Sequence, residues 1–331
     1  NAAAGKMSPV NMFTTTIGDE LKLATNQRSK VVGIALKDRG GILPAGHSAN
    51  AAYWYDSKTG DWITSTYYMK ALPGWVNTFN EKKLVDEYYK LGWSTVFPLN
   101  TYTQSTADEN DYEVNVLGKG FPYTLSSVIG KNYSIVLSTP FGNTLTTQFA
   151  KSAIEHEQLG ADSITDLLAI SYSSTDYIGH AFGPNSIENE DTYLRLDKEL
   201  AELLDYLDSK VGKDDYLVFL TSDHGAAHNP KFMKDHKIPA GNVLITNLVD
   251  SMNLLLKEKF SVNALVTDII NFQVVLNLPL IASNRKLKTN EIGYLKYFAS
   301  FGLKPAILSS ARASNMLSSN ITTSDCTIAA N

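Results

Sequence analysis

Two short stretches of the sequence place a carboxylate and an imidazole directly after an apolar run. Asp223 and His224 follow one such run, and Asp176 and His180 follow another. Apolar runs of this length predict buried strands, and ligands of open α/β sheets bind beyond the carboxyl ends of the strands. Carboxylate oxygen and imidazole nitrogen suit zinc or, less specifically, manganese. The two pairs together predict one metal site, although either pair alone is also compatible with an ordinary turn.

A third cluster of charged residues follows the apolar run at residues 30–36. Lys37 and Arg39 flank Asp38 and are followed by two glycines. Arginine offers a planar fork to phosphate oxygens and lysine a compact point charge, so the pair is a candidate phosphate site. A solvated turn with a weak local ion pair is the competing interpretation. We expect Asp38 to orient its neighbours rather than to act in catalysis.

The order of these motifs resembles a known family. Residues 174–180 read Ser-Thr-Asp-Tyr-Ile-Gly-His and residues 221–225 read Thr-Ser-Asp-His-Gly, which is similar to the alkaline phosphatase superfamily. The resemblance is closer to bacterial alkaline phosphatases of the branch related to nucleotide pyrophosphatase/phosphodiesterases. That branch uses a threonine nucleophile and a Lys-x-Arg phosphate site. The similarity extends from about residue 8 to about residue 280.

This resemblance implies a function and a set of roles. The expected activity is zinc-dependent hydrolysis of phosphate monoesters, as in an alkaline phosphatase, through a phosphothreonine intermediate. Two zinc ions are expected, with Asp176 and His180 as ligands of one and Asp223 and His224 as ligands of the other. The Lys-x-Arg pair would contact the non-bridging phosphate oxygens. The family also implies a periplasmic or secreted protein that acts on small-molecule phosphate monoesters.

Parts of the family's site have no counterpart in the sequence. The family takes its threonine nucleophile, an aspartate ligand and a phosphate-contacting asparagine from a segment that would precede Asn1. It takes a further histidine ligand from a later segment, whereas no histidine follows His236 here. The threonines at residues 14–16 do not stand at the nucleophile position. We therefore expect a partial chain, without the nucleophile and with incomplete zinc shells.

Three other functions compete with this interpretation. A phosphodiesterase or nucleotide pyrophosphatase of the same superfamily would lack the Lys-x-Arg pair. A sulfatase would need a Cys/Ser-x-Pro-x-Arg motif, which neither Cys326 nor Ser8 provides. An inactive fragment that binds metal or phosphate without turnover is the third alternative, because it would lack a nucleophile.

Composition limits the broad class of protein. A chain of 331 residues with 44% hydrophobic residues can bury a sizeable core. No stretch predicts a membrane span, and a net charge of -5 does not favour a nucleic-acid partner. The single cysteine, Cys326, excludes an internal disulfide and a cysteine-based zinc site. The sequence shows no signal-peptide pattern, and we expect a monomer.

Alternating strand and helix patterns must position the candidate residues. Strands are predicted at residues 30–36, 167–173 and 215–221 from their apolar runs. The leucines of residues 189–210 recur at helical spacing between the last two strands. This order predicts an α/β fold with a doubly wound, mostly parallel sheet flanked by helices.

The sequence also suggests a division of the chain. Residues 1–280 are expected to form one α/β domain, with an insertion or cap at about residues 98–143. Residues 281–331 are expected to form an atypical tail, because Ser, Thr, Ala and Asn dominate there and the family resemblance fades.

Overall fold

A computed structural model describes residues 3–114, 116–241, 244–270, 273–284 and 287. The chain forms two compact units, Asn1–His228 and Asn229–Asn331. The predicted domain boundary near residue 280 stays a prediction, and most of the predicted tail lies outside the described residues.

The first unit contains a mixed, mostly parallel sheet. Its strands are β1 (Val31–Ala35), β2 (Ala51–Asp56), β3 (Asp61–Ile63) and β4 (Leu167–Ser171), in the order β3-β2-β1-β4. β1 pairs in parallel with both β2 and β4, while β2 and β3 are antiparallel. In this register Ala35 lies opposite Ser171, so that β1 and β4 leave the sheet at the same edge.

Helices cover both faces of this sheet. The helices of the first unit are α1 (Ile17–Ala24), α2 (Asp38–Ala45), α3 (Gly74–Glu81), α4 (Leu84–Leu91), α5 (Phe141–His156), α6 (Ser174–Phe182) and α7 (Ile187–Lys210). Successive residues of β1 belong to different cores: Val32 and Ile34 pack in the cluster that contains Phe149 of α5, and Val31 packs with Ile42 of α2. Because alternate strand residues point to opposite faces, this confirms the predicted α/β fold with helices on both sides.

Two glycines allow α2 to lie unusually close to β1. A Cβ added to Gly33 of β1 would meet the carbonyl oxygen of Gly41 at 2.0 Å, which no real side chain tolerates. α2 begins directly after Lys37. The close packing of this helix therefore places the start of the Lys37–Arg39 segment at the edge of the sheet.

The predicted strand at residues 215–221 is wrong. Residues 216–222 have no regular structure, and residues 217–220 are between 53% and 88% exposed. β4 is the end strand of the sheet among the described residues. An apolar run favours an extended chain, but a buried strand also needs neighbours for its backbone and side chains, and the run itself does not specify them.

Residues 98–114 and 116–143 are mostly irregular and are hydrogen-bonded to the end of α6 and to the turn that follows it. The segment holds 3-10 helices at Leu99–Thr101, Ser126–Val128 and Tyr133–Ser138. The amide of Thr106 donates to the carbonyl of Asn185 at 2.8 Å, and the amide of Val114 donates to the carbonyl of Ala181 at 2.7 Å. Its role as an insertion or cap stays a prediction.

Carboxyl groups meet where this segment packs on α7. Glu188 of α7 is fully buried and its Oε1 accepts a hydrogen bond from the Tyr123 hydroxyl at 2.6 Å. Glu113 accepts from the Asn110 side chain at 2.6 Å. Burial, followed by the charge of Glu188, raises the pKa of Glu113 to about 8. The folded segment is therefore most stable when the Glu113 carboxyl group carries a proton.

The described residues of the second unit form three helices and a two-stranded sheet. The unit contains α8 (Pro230–Asp235), α9 (Ile245–Phe260), β5 (Val266–Ile270), β6 (Gln273–Leu276) and α10 (Leu278–Ser283). β5 and β6 are antiparallel, and Leu248, Met252 and Leu256 of α9 belong to the same core as Val266 and Ile269. Across the described residues of both units, no helix has the length and apolar character needed to cross a membrane.

We expect Gly33→Ala to destabilise the first unit by about 1–3 kcal/mol, because the added methyl group overpacks the contact between β1 and α2. The matched control is Gly74→Ala, where an added Cβ meets nothing within 4 Å. Urea unfolding followed by circular dichroism measures both variants. Equal stability of the two variants would contradict the close approach.

We expect Glu113→Gln to reduce the pH dependence of stability. The pKa of Glu113 rises from 4.5 to about 8 in the folded chain, so the folded state holds its proton more tightly than the unfolded state. Stability contributed in this way is present at acidic pH and is lost as the pH rises from about 4.5 to about 8. Urea unfolding at several pH values should show a shallower decline in the variant. An unaltered decline, matching that of the exposed control Glu81→Gln, would refute this assignment.

Candidate functional site

The parallel pairing of β1 and β4 brings two of the predicted residues together. Lys37 follows β1 and precedes α2, while Asp176 lies in the first turn of α6, just beyond β4. The backbone amide of Lys37 donates to the Ser173 hydroxyl at 3.4 Å, across the gap between the two strand ends. The edge of the sheet thus carries the lysine and the aspartate side by side.

The side chain of Lys37 lies between a carboxylate and an aromatic ring. Its ammonium donates a short hydrogen bond to Oδ2 of Asp176 and lies 4.6 Å from the centroid of the Tyr177 ring. Burial alone would raise the pKa of Asp176, but the hydrogen bond and charge of Lys37, with smaller effects of His180 and His224, bring this pKa below its ordinary value. Asp176 is therefore held as a carboxylate.

The other oxygen of Asp176 faces two imidazoles. Oδ1 lies 3.4 Å from Nε2 of His180, one helical turn further along α6, and 3.6 Å from Nε2 of His224. Two atoms that bind one tetrahedral zinc ion at about 2.0–2.2 Å lie roughly 3.3–3.6 Å apart. Each of these two separations is therefore compatible with a pair of ligands of one zinc ion, although the described residues contain no group of three such ligands.

Asp223 and His224 stand on an exposed loop and not at the end of a strand. The side chains are 91% and 61% exposed, and Nε2 of His224 lies 3.7 Å from Oδ2 of Asp223. A hydrogen bond with the Gly225 carbonyl, followed by the charge of Asp223, raises the pKa of His224. The loop brings His224 to Asp176, while Asp223 remains mostly in solvent.

Arg39 is exposed but borders the same cavity as Lys37. The cavity has a volume of about 170 Å³. Its lining residues are Ala4, Leu36, Lys37, Asp38, Arg39, Trp54, Tyr55, Ser57, Leu137 and Tyr177. The Asp38 carboxylate accepts from the backbone amide of Arg39 at 2.7 Å. In the described part of the chain no ion pair involves the Arg39 guanidinium, which leaves its donors available to an anion.

The structure therefore joins most of the predicted residues around Asp176. Lys37, His180 and His224 all approach this carboxylate, whereas Asp223 reaches the group only through His224. Within the described residues no three His, Cys, Asp or Glu side chains form a complete metal-binding group. The four candidate ligands thus supply part of a coordination shell and not a whole one.

Sequence reasoning overlooked Tyr177 and Ser173. Tyr177 lies inside the Asp176–His180 motif, but a tyrosine side chain does not by itself indicate zinc or phosphate binding. Its contact with Lys37 depends on the parallel pairing of β1 with β4, which brings together residues about 140 positions apart in the chain. The signal that could have found it is the position of Tyr177 directly after the candidate ligand Asp176.

The sequence between residues 10 and 291 matches the family model of type I phosphodiesterase / nucleotide pyrophosphatase. This span covers most of the chain. The chain belongs to this family. The predicted membership of the alkaline phosphatase superfamily, in the branch related to nucleotide pyrophosphatases, is thereby confirmed.

Curated relatives of this family member include two alkaline phosphatases. The chain is 50% identical over 298 residues to alkaline phosphatase PhoV of Synechococcus elongatus. This match covers 88% of the chain and 54% of PhoV. The chain is 48% identical over 295 residues to alkaline phosphatase PafA of Elizabethkingia meningoseptica, covering 88% of this chain and 54% of PafA. A protein named calcium-transporting ATPase, from Myroides odoratus, is 57% identical over 286 residues, 85% of this chain and 52% of that protein.

The solved structure of wild-type alkaline phosphatase PafA has the same fold. It superposes with a TM-score of 0.84 at 46% identity, over 90% of this chain and 58% of that chain. A PafA variant substituted at one threonine, one asparagine, one lysine and one arginine matches with a TM-score of 0.84 at 45% identity, over 92% of this chain and 58% of that chain. The chain spans about half the length of the curated relatives it matches.

Proposed function

We propose that the chain carries the phosphate- and zinc-binding part of an alkaline phosphatase. The observation that carries this proposal is the position of Asp176. One oxygen of its carboxylate binds the Lys37 ammonium, and the other faces the imidazoles of His180 and His224. A cation suited to phosphate and nitrogen ligands suited to zinc therefore meet at one group, and a metal-assisted phosphoryl-transfer site can use both.

Each residue has a role that its chemistry supports. Lys37 and Arg39 bind the non-bridging oxygens of the phosphate and offset the negative charge that develops on them during phosphoryl transfer. Asp176 and His180 hold one zinc ion and Asp223 and His224 the other, as the family resemblance implies. Bound zinc supplies Lewis acidity toward the ester.

The reaction through a phosphothreonine intermediate is the finer part of the proposal. The family resemblance implies a threonine nucleophile, and we assign that role to no residue of this chain. The proposal for the 331 residues themselves is therefore the binding of phosphate and zinc. Hydrolysis of phosphate esters is proposed only for a site that also contains the threonine nucleophile of the family.

Phosphate monoesters are the favoured substrates over diesters. A monoester presents three terminal oxygens to the protein, and two cations spaced as in Lys37-x-Arg39 can contact more than one of them. The PafA variant described above is substituted at a lysine and an arginine that are likewise two positions apart. Small phosphate esters, a periplasmic or secreted location and a monomeric state complete the proposal, on the strength of the family resemblance.

We expect Lys37→Ala to weaken phosphate binding by about 10-fold to 100-fold, because a half-buried charge-assisted contact is lost. Arg39→Ala should weaken it by about 3-fold to 10-fold, since the exposed guanidinium is screened by solvent. Isothermal titration calorimetry of the zinc-loaded chain measures both.

The matched control for this experiment is Lys213→Ala. Lys213 is exposed and follows the C-terminal end of α7. The other end of this helix of 24 residues is the end that follows α6. Phosphate affinity unchanged in both site variants would remove the pair from the site. Equal affinity of the parent chain for phosphate and for dimethyl phosphate would favour the phosphodiesterase alternative.

We expect His180→Ala and His224→Ala each to lower zinc affinity by more than about 10-fold, since losing even an outer-shell partner costs about 10-fold to 100-fold. The control is His236→Ala, because the His236 ring lies in the second unit, 4.0 Å from the Phe232 ring at a tilt of 31°. Elemental analysis after dialysis against limiting zinc gives the bound metal per chain. Metal content equal to that of the parent in both site variants would refute the ligand assignment.

A further inference from the structure

Tyr177 lies at the meeting point of the two halves of the candidate site. It directly follows Asp176 in α6, and its ring faces the ammonium that Asp176 binds. Lys37 is thereby enclosed by a carboxylate and by an aromatic face. The side chain of Lys37 is only 17% exposed in this environment.

The two contacts of Lys37 differ in their chemical consequences. Asp176 accepts a hydrogen bond from the ammonium and offsets its charge. The Tyr177 ring attracts the same ammonium through its quadrupole, without a full opposing charge and without an oxygen that competes for its N–H donors. An aromatic contact of this kind fixes the position of a lysine while leaving its charge available to an anion.

The need for such a contact follows from the nature of lysine. Its ammonium sits on a flexible stem of four carbons, and holding the stem in one conformation costs rotamer entropy. Arg39, by contrast, has a planar guanidinium that is already shaped for phosphate oxygens. Lys37 is therefore the member of the pair that needs a neighbouring group to hold it.

The Tyr177 ring also forms part of the wall of the cavity that Lys37 and Arg39 border. The cavity of about 170 Å³ has Tyr177 and Leu137 among its lining residues, together with both cations. The ring is thus placed to hold Lys37 toward the space in which the proposed phosphate would bind.

We propose that Tyr177 is a positioning residue, whose aromatic face holds the Lys37 ammonium toward a phosphate group in the adjoining cavity. The proposal rests on the proposed function, because it assigns phosphate to this cavity. Tyr177 acts through Lys37 and not on the reacting atoms. An aromatic ring at position 177 is required, and the phenol hydroxyl is not.

Two variants separate the ring from the hydroxyl. Tyr177→Phe keeps the aromatic face and Tyr177→Leu removes it while retaining an apolar side chain. For the zinc-loaded chain we expect Tyr177→Leu to weaken phosphate binding by about 3-fold to 10-fold, within the range of a partly desolvated cation–π contact. Tyr177→Phe should stay within about 2-fold of the parent chain on the same principle. Isothermal titration calorimetry provides these values.

The same substitutions in a Lys37→Ala background test whether Tyr177 acts through Lys37. There Tyr177→Leu should leave phosphate affinity unchanged, because the group that it positions is already absent. An equal loss in both backgrounds, or an equal loss for Phe and Leu, would overturn the proposal. A general folding defect is recognised because it would not depend on Lys37.

A measurement without phosphate tests the contact itself. In chain labelled with ¹³C at the lysine ε carbons, the Lys37 signal is assigned by its loss in Lys37→Ala. It should be shifted by the ring in the parent chain and in Tyr177→Phe, and move to the position of an exposed lysine in Tyr177→Leu. A signal that does not move refutes the positioning. The other outcome is a Lys37 signal that moves in Tyr177→Leu while Lys37→Ala keeps the full phosphate affinity of the parent chain. That outcome refutes the phosphate site and not the contact between Tyr177 and Lys37.

Discussion

The parallel pairing of β1 with β4 is the constraint on which the candidate site depends. Ala35 and Ser171 are opposite each other at the last step of this pairing. Both strands then turn directly into helices, α2 and α6, so that their first residues share one edge of the sheet. Lys37 and Asp176 meet for this reason. The imidazoles of His180 and His224 lie near the other oxygen of the Asp176 carboxylate.

Much of the sheet and part of the site could be predicted from the sequence. The strands β1 and β4 are short apolar runs, β1 fully buried and β4 half-buried. Polar residues that follow neighbouring parallel strands share an edge of the sheet. The family motif identified Asp176, His180 and His224, which do approach one another. The motif does not reveal that Asp176 and His180 lie one turn apart on a helix, because the same letters are compatible with a loop when the start of the helix has no side-chain cap.

The remainder depends on contacts between distant parts of the chain. An apolar run such as residues 216–220 predicts an extended backbone, yet whether it becomes a strand is decided by the partners available to it. The ring of Tyr177 acquires a role only from Lys37, which belongs to another strand and helix. Glu188 likewise reads as an ordinary charge in the first turn of α7, and its burial is set by Tyr123 and the irregular segment packed over it.

The exposed run at residues 217–220 has a consequence for the behaviour of the chain in solution. Four consecutive apolar residues, with no charge among them, can pair with an open strand edge of another molecule. β4 offers such an edge within the described part of the sheet. A net charge of -5 opposes association only weakly at physiological salt, since repulsion between exposed charges is screened beyond about 8 Å. This short stretch is therefore one place at which two copies of the chain can associate.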